Sequence, residues 1–293
     1  MNLPGPRAEW RRSICAALAC SLMLAAPAAW PATIDASAAA APPLQPADLA
    51  KVYAHEVDRH LTLPEPEQAM YAELLACALQ AAGLRIERPQ FVLLVDRSAF
   101  VQAAMLWWVP AEGAGLLIGA SPVSTGRPSG FEHFETPTGV FDHTLADPDF
   151  RAEGTPNELG ILGYGRQGMR VYDFGWVMAR RGWAPGEQLM RLQMHATDPD
   201  RLEPRLGQRE SKGCIRIPAT LDRLIDHYAV LDAAYDEALR EGQHLWVLAA
   251  DRVETPWSGR YLVVVDSQRT ARPAWAAQPR VPMPAKPRPD RGQ

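Results

Sequence analysis

Four cysteines in 293 residues leave little material for a disulfide-held scaffold. Two of them, Cys15 and Cys20, fall in the first 28 residues, so a chain cleaved there keeps only Cys77 and Cys214. Positive charge is also in deficit: 30 Lys and Arg stand against 34 Asp and Glu, a net charge of −4. Affinity for nucleic acid rests on cationic neutralisation of phosphates, so this balance argues against nucleic acid as the main partner. A closed set of metal ligands is missing as well. The run HATDPD at 195–200 has His/Asp/Asp spacing but no complete ligand set, and no metal or other cofactor is expected.

Long apolar runs are scarce. SICAALACSLMLAAPAAW, at 13–30, follows Arg7, Arg11 and Arg12 and contains the A-x-A pattern Ala26-Pro27-Ala28. A basic n-region, an apolar stretch and small residues at the cleavage site describe a secretory signal peptide, here over 1–28. An exported chain in the periplasm or cell envelope, with no stable membrane span after cleavage, is the expectation. A retained anchor is the alternative. It needs about 20 apolar residues, and this run barely reaches that length before its prolines. ALAC at 17–20 faintly resembles a lipoprotein signal, but little apolar sequence precedes it.

What the sequence does have is order along the chain. An Ala/Pro-rich linker over 29–46 has no amphipathic period. A helical element over 47–86 follows: Leu49, Val52, Tyr53 and Val57 recur at three- and four-residue steps, and a second helix runs to a stop at Gly83. Cys77, on that helix beside Leu74, Leu75 and Leu79, reads as a small buried core residue. From 87 to 270 the pattern is strand-rich: FVLLVDR, AAMLWWVP, GLLIGASP, MRVYDFGWVMA, RLQMHA, and a closing pair HLWVLAA and RYLVVVDS. One helix is expected over 219–232. The fold class is therefore mainly β with added helices. Residues 271–293 hold six prolines, five cations and one acid, and are expected to be a disordered basic tail.

One short stretch carries chemistry. In RESKGCIRIP, at 209–218, a lone cysteine stands between cations. If 212–217 is extended, Lys212, Cys214 and Arg216 share a face, and nearby positive charge favours the thiolate, the nucleophilic form. Gly213 has no Cβ to keep a substrate away, and the Gly213 and Cys214 amides could face an oxyanion. A nucleophilic cysteine also wants a base. His195, at the end of an apolar strand 19 positions earlier, is the candidate, although His55, His60, His133, His143, His227 and His244 are also present. A Cys77–Cys214 disulfide is the competing structural reading.

These residues sit within a larger pattern. MHATDP at 194–199, followed by LGQRESKGCIRIP at 206–218, resembles the H-G-T to S-H-G-C-hydrophobic-R hallmark of the L,D-transpeptidase catalytic domain family, also called YkuD-like. FVLLVDRS at 91–98, SPVSTGRP at 121–128 and ETPTGVF at 135–141 follow the same family order, so the similarity covers roughly 90–250. The resemblance implies a β-sandwich or curved sheet with a helix after the cysteine. It implies Cys214 as nucleophile and His195 as its base. The Ala196 carbonyl would orient the imidazole, Ser211, Gly213 and Arg216 would hold fixed positions around the nucleophile, and the Gly213 and Cys214 amides would be oxyanion donors. Tyr172 is the nearest counterpart of a substrate-binding tyrosine. Two departures stand out: Lys212 replaces the family's second histidine, and Ala196 its glycine.

The implied reaction is acyl transfer on peptidoglycan stem peptides, part of cell wall biogenesis and cell shape. Cys214 would form a thioester at the third stem residue and an amine would take the acyl group. Carbapenem-type inhibitors would act as alternative acyl donors. Two other readings remain open from sequence: an L,D-carboxypeptidase or murein-trimming hydrolase using the same residues with water, and a non-catalytic wall-binding protein.

Overall fold

The computed structural model describes residues 43–278. The expected signal peptide, nearly all of the linker and the tail from 279 onward lie outside the described residues. The sequence pattern explains the architecture strand by strand. In β1 (Gln90–Asp96) every residue is buried. Phe91, Leu93 and Val95 enter one apolar core, whereas Val92 and Leu94 enter another. A two-residue pleat with both faces covered produces this alternation. The neighbouring β2 (Ala103–Val109) divides the same way, with Ala104 and Leu106 in the first core and Ala103, Met105 and Trp107 in the second.

β1 and β2 are the middle of a five-stranded sheet. Its remaining strands are β3 (Leu116–Pro122), β4 (Gly139–Asp142) and a last strand at Tyr261–Val265, which pairs parallel to β1 and antiparallel to β4. The second sheet orders β5 (Phe150–Arg151), β6 (Arg170–Arg180), β7 (Glu187–Ala196) and β8 (Ile215–Ile217) side by side. Tyr172, Leu192, Met194, Ile215 and Ile217 from this sheet meet the odd-numbered side chains of β1 in one core. The architecture is thus two sheets with helices, mainly β.

The helical element is built into that body. α1 (Pro46–Glu56) begins with proline in its first turn and contributes Leu49 and Tyr53 to the core between the sheets. Tyr53 Oη lies 2.6 Å from Ser121 Oγ of β3. α2 (Glu65–Ala81) has Glu65 and Glu67 at its positive N-terminal end, and Gly83 just past its C-terminus at φ +69°. It lays Tyr71, Leu75 and Leu79 over the outer face of the five-stranded sheet, where Tyr71 donates to Asp96 Oδ2 at 2.7 Å. No helix among the described residues is long and apolar enough to cross a membrane.

Four local expectations need correction. Cys77 is exposed and free, because the stripe of Tyr71, Leu75 and Leu79 turns it to the opposite side of α2. HLWVLAA at 244–250 forms turns rather than a strand. Both edges of the last strand are already taken by β1 and β4, and Trp246 is 68% exposed while Val247 alone of that run is buried. The single helix expected over 219–232 is two, α3 (Ala219–His227) and α4 (Ala233–Arg240). Between them Ala229 turns to φ +49°, and Val230 and Leu231 leave the helix to be buried. Finally, 271–278 is not part of a structureless tail: the Trp275 ring meets Tyr71 edge-on at 5.9 Å, and Arg272 donates to the Ala99 carbonyl at 2.9 Å.

Candidate active site

β7 and β8 run parallel with Met194 opposite Ile215, His195 opposite Arg216 and Ala196 opposite Ile217. Met194, Ala196, Ile215 and Ile217 are fully buried on the inner side. The pleat therefore directs Gln193 and His195 of β7 to the other face, along with Arg216 and, two residues before it, Cys214. Two positions along and one strand across separate the His195 and Cys214 Cα atoms by about 8 Å, a span their side chains can close. The parallel register thus brings together groups 19 positions apart in sequence.

Each group has a defined state. His195 is buried, with Nδ1 2.5 Å from the Ala196 carbonyl oxygen. A carbonyl only accepts, so Nδ1 carries the proton and Nε2 keeps its lone pair. Burial, helped by the Arg216 charge and resisted by the Ala196 bond, pushes the imidazole down to about 4. Cys214 is half-buried and unpaired with Cys77. Burial pushes its thiol up, against the opposing pull of the Gln193 amide and Arg216. Thiol and imidazole are therefore both neutral at rest, and the expected cation-stabilised thiolate is not present.

The loop before the cysteine accounts for part of that difference. It is not extended through 212–214, since Gly213 sits at φ +139°. Lys212 consequently points outward, with its Nζ 3.1 Å from Glu132 and both side chains more than 60% exposed. Only Arg216 of the two cations acts on the sulfur. Gly213 is needed for its backbone, since a side chain rarely adopts φ +139°, and a Cβ there would also crowd the end of Met190 at 2.7 Å. The Gly213 amide is also not open to an oxyanion, because it donates to Ser211 Oγ at 3.1 Å while the Ser211 hydroxyl donates to the Cys214 carbonyl at 2.5 Å. Of the two expected oxyanion amides, Cys214's own N–H is left.

The turn-rich upstream motifs hold this loop in place. Ser124 exchanges both backbone bonds with Arg216, at 3.0 and 2.9 Å. Thr136 bridges the motifs directly: its hydroxyl donates to the Gly213 carbonyl at 2.7 Å and accepts from the Gly126 amide at 2.8 Å. A Cβ on Gly126 would lie 1.9 Å from the Phe134 carbonyl oxygen, so the crossing admits only glycine.

Tyr172 is not a substrate contact. Its side chain is fully buried against Arg170, on the inner side of β6, because the residues facing the cysteine alternate with it. The tyrosine at the site is Tyr164. Its ring meets His195 edge-on at 4.6 Å, its hydroxyl donates to Gln193 Oε1 at 3.1 Å, and the Cys214 charge helps raise its pKa after burial. Gln193 in turn donates to Asp173 Oδ2 at 2.6 Å, and Arg191 donates to the same oxygen at 2.7 Å. Gln193 could have been found by stepping back two residues from His195 along the strand. Tyr164 lies in the glycine-rich loop LGYGRQG, which has no period to place it.

The fold and this face define a mainly β domain that presents a histidine from the end of one strand and a cysteine from just before its parallel neighbour. Residues 91–235 match the family model of the L,D-transpeptidase catalytic domain, YkuD, and the chain carries a domain of that family there. The matched segment starts in β1 and ends in α4. A search of curated proteins finds no match.

Proposed function

We propose that the chain is an L,D-transpeptidase of the cell envelope, acting on peptidoglycan stem peptides through Cys214. The observation that carries the reading is the free Nε2 of His195, fixed by the Nδ1 bond to Ala196 and turned to the same sheet face as the sulfur. As the sulfur attacks the carbonyl carbon of the third stem residue, Nε2 takes the thiol proton. The carbonyl oxygen gains the negative charge, beside the Cys214 amide. The imidazolium returns its proton to the departing amine, the carbon–nitrogen bond breaks and a thioester remains. An incoming amine then gives up a proton to His195 as it displaces the sulfur, which regenerates the thiol. Both groups begin and end neutral, which suits a general-base step rather than a standing ion pair. Export to the envelope is supported by the basic and apolar pattern of the first 28 residues.

The test is incubation of the protein with defined muropeptide tetrapeptides, followed by mass analysis. Wild type is expected to yield a cross-linked dimer and Cys214→Ala none. A trimmed stem without a dimer would instead assign water as the acceptor, and an unchanged stem would refute acyl transfer.

A further inference from the structure

Beside the cysteine strand lies a cleft of about 500 Å³ lined by Arg127, Arg205, Arg209, Arg216 and Arg272, with Glu210 the one carboxylate in its wall. Two of these arginines are neutralised locally. Arg205 pairs with Glu210 at 2.6 Å, and Arg209 reaches Glu135 and Asp266 at 3.5 and 3.3 Å. The other three have no carboxylate within ion-pair distance among the described residues. Arg127 donates to the Ser129 carbonyl at 2.9 Å, and Arg272 to the carbonyls of Ala99 and Ala277 at 2.9 and 2.7 Å. Arg216 has only a long contact, 3.4 Å, to the Glu210 carbonyl. Converging guanidinium groups held by carbonyls keep their charge uncompensated, and their forked donors match the oxygens of phosphate or carboxylate.

We infer that this cleft is a binding site for a multiply charged oxyanion, carrying phosphate or clustered carboxylate groups, and that its occupancy is felt at Cys214 through Arg216. Arg216 belongs to both places. It lines the cleft, and it stands on β8 two residues from the cysteine, opposite His195. The charged and titratable groups coupled to the sulfur are Arg216 from β8, Asp173 from β6 and Tyr164 from the loop before β6, and His195 of β7 faces Arg216 across the strand pair. Of these only Arg216 lines the cleft, and it is the one cation among them that favours the thiolate. An anion on Arg216 offsets that influence, so the filled cleft lowers the thiolate fraction at a given pH. The inference concerns the thiol itself and stands whether or not the chain is a transpeptidase.

The experiment uses Cys77→Ser protein, which leaves Cys214 as the alkylation site in the described part of the chain, at constant ionic strength. Binding of inorganic pyrophosphate and of citrate is measured by calorimetry. Site-resolved iodoacetamide alkylation of Cys214 is then followed against pH with and without the tighter anion. Saturable binding is expected, weakened at least about threefold by Arg272→Gln or Arg127→Gln, since each removes one charged hydrogen-bonding group. It is expected to be unaffected by Arg240→Gln on the exposed end of α4. The alkylation profile is expected to move to higher pH by roughly half a unit or more when the anion is bound. Tighter pyrophosphate assigns a phosphate ligand, and tighter citrate a carboxylate ligand. Failure of both to saturate by about 10 mM, or binding that ignores both cleft substitutions, would overturn the site. Binding with an unmoved profile would overturn its link to Cys214.

Discussion

Two buried histidines, His143 and His195, show how differently the same side chain is used in one domain. His195 bonds through Nδ1 alone, to the Ala196 carbonyl, and is held neutral with Nε2 free. His143 has no exposure at all, and both its nitrogens face acceptors: the Leu231 carbonyl at 2.7 Å and Asp149 Oδ1 at 2.8 Å. Two acceptors demand two protons, so His143 is an imidazolium. Burial alone would lower it, but Asp149 holds it above its ordinary range, and the Asp149 carboxylate is in turn held below its own by His143 and Arg170. Arg170, equally buried, ties Asp149 to Asp226 and Asp232. A histidine that is fully bonded is structural; one left a lone pair is available for proton transfer.

That contrast can be broken from either side. His195→Gln is expected to lower the rate of acyl transfer by about 10²–10⁴-fold, the usual worth of a positioned base, with folding retained. The rate of thioester formation on a reactive acyl donor measures this. His143→Ala is expected to leave chemistry secondary and stability primary. It takes one charged partner from Asp149, leaving Arg170 and the Asp173 amide, and costs about 3 kcal/mol in denaturant unfolding, as removal of one partner from a buried charged cluster does.

The two histidines also carry opposite pH signs. His143 is raised in the fold, so its contribution is full below about pH 6.5 and is lost as pH climbs through its folded value. His195 is depressed from 6.5 to about 4, so its contribution is full above pH 6.5 and is lost as pH falls toward 4, a span worth on the order of 3 kcal/mol. Unfolding free energy against pH is therefore expected to lose its acid limb between pH 6.5 and 4 in His195→Gln and part of its alkaline decline in His143→Ala. Asp222 adds to the second: burial pushes its carboxyl up to about 8, so stability falls as pH rises from about 4 through 8, and Asp222→Asn should flatten that decline.

Smaller effects sharpen the picture around the loop. Thr136→Val removes the hydroxyl shared by the Gly126 amide and the Gly213 carbonyl, leaves both buried groups unpaired, and is expected to cost about 2 kcal/mol in thermal or denaturant unfolding. Tyr164→Phe keeps the ring against His195 but drops the bond to Gln193, and a loss of only about threefold in acylation rate is expected, one modest neutral hydrogen bond.

Much of this was legible in the sequence because it is periodic. The continuous apolar runs FVLLVDR and AAMLWWVP mark the central strands, and the 19-residue interval between His195 and Cys214 fits two strands whose register joins their ends. Non-periodic features escaped. The placement of Lys212 depends on one glycine at positive φ, which breaks the alternation that would have aimed the lysine at the sulfur. Tyr172 lies on the strand before His195, as the resemblance implies, yet a strand places alternate residues on opposite faces and Tyr172 falls on the buried one, whereas Tyr164 reaches His195 from a loop. HLWVLAA has strand composition, but strand pairing needs an open edge, which is a property of the assembled sheet.

The central claim is that Cys214 is a nucleophile served by His195, and the most direct test is acylation by a carbapenem followed by intact mass. Wild type should gain the full inhibitor mass as the β-lactam ring opens onto the sulfur, His195→Gln should do so at least a hundredfold more slowly, on the order of a lost general base, and Cys214→Ala should gain nothing. A folded, reduced wild type that stays at its own mass, or an adduct that survives Cys214→Ala, would contradict it.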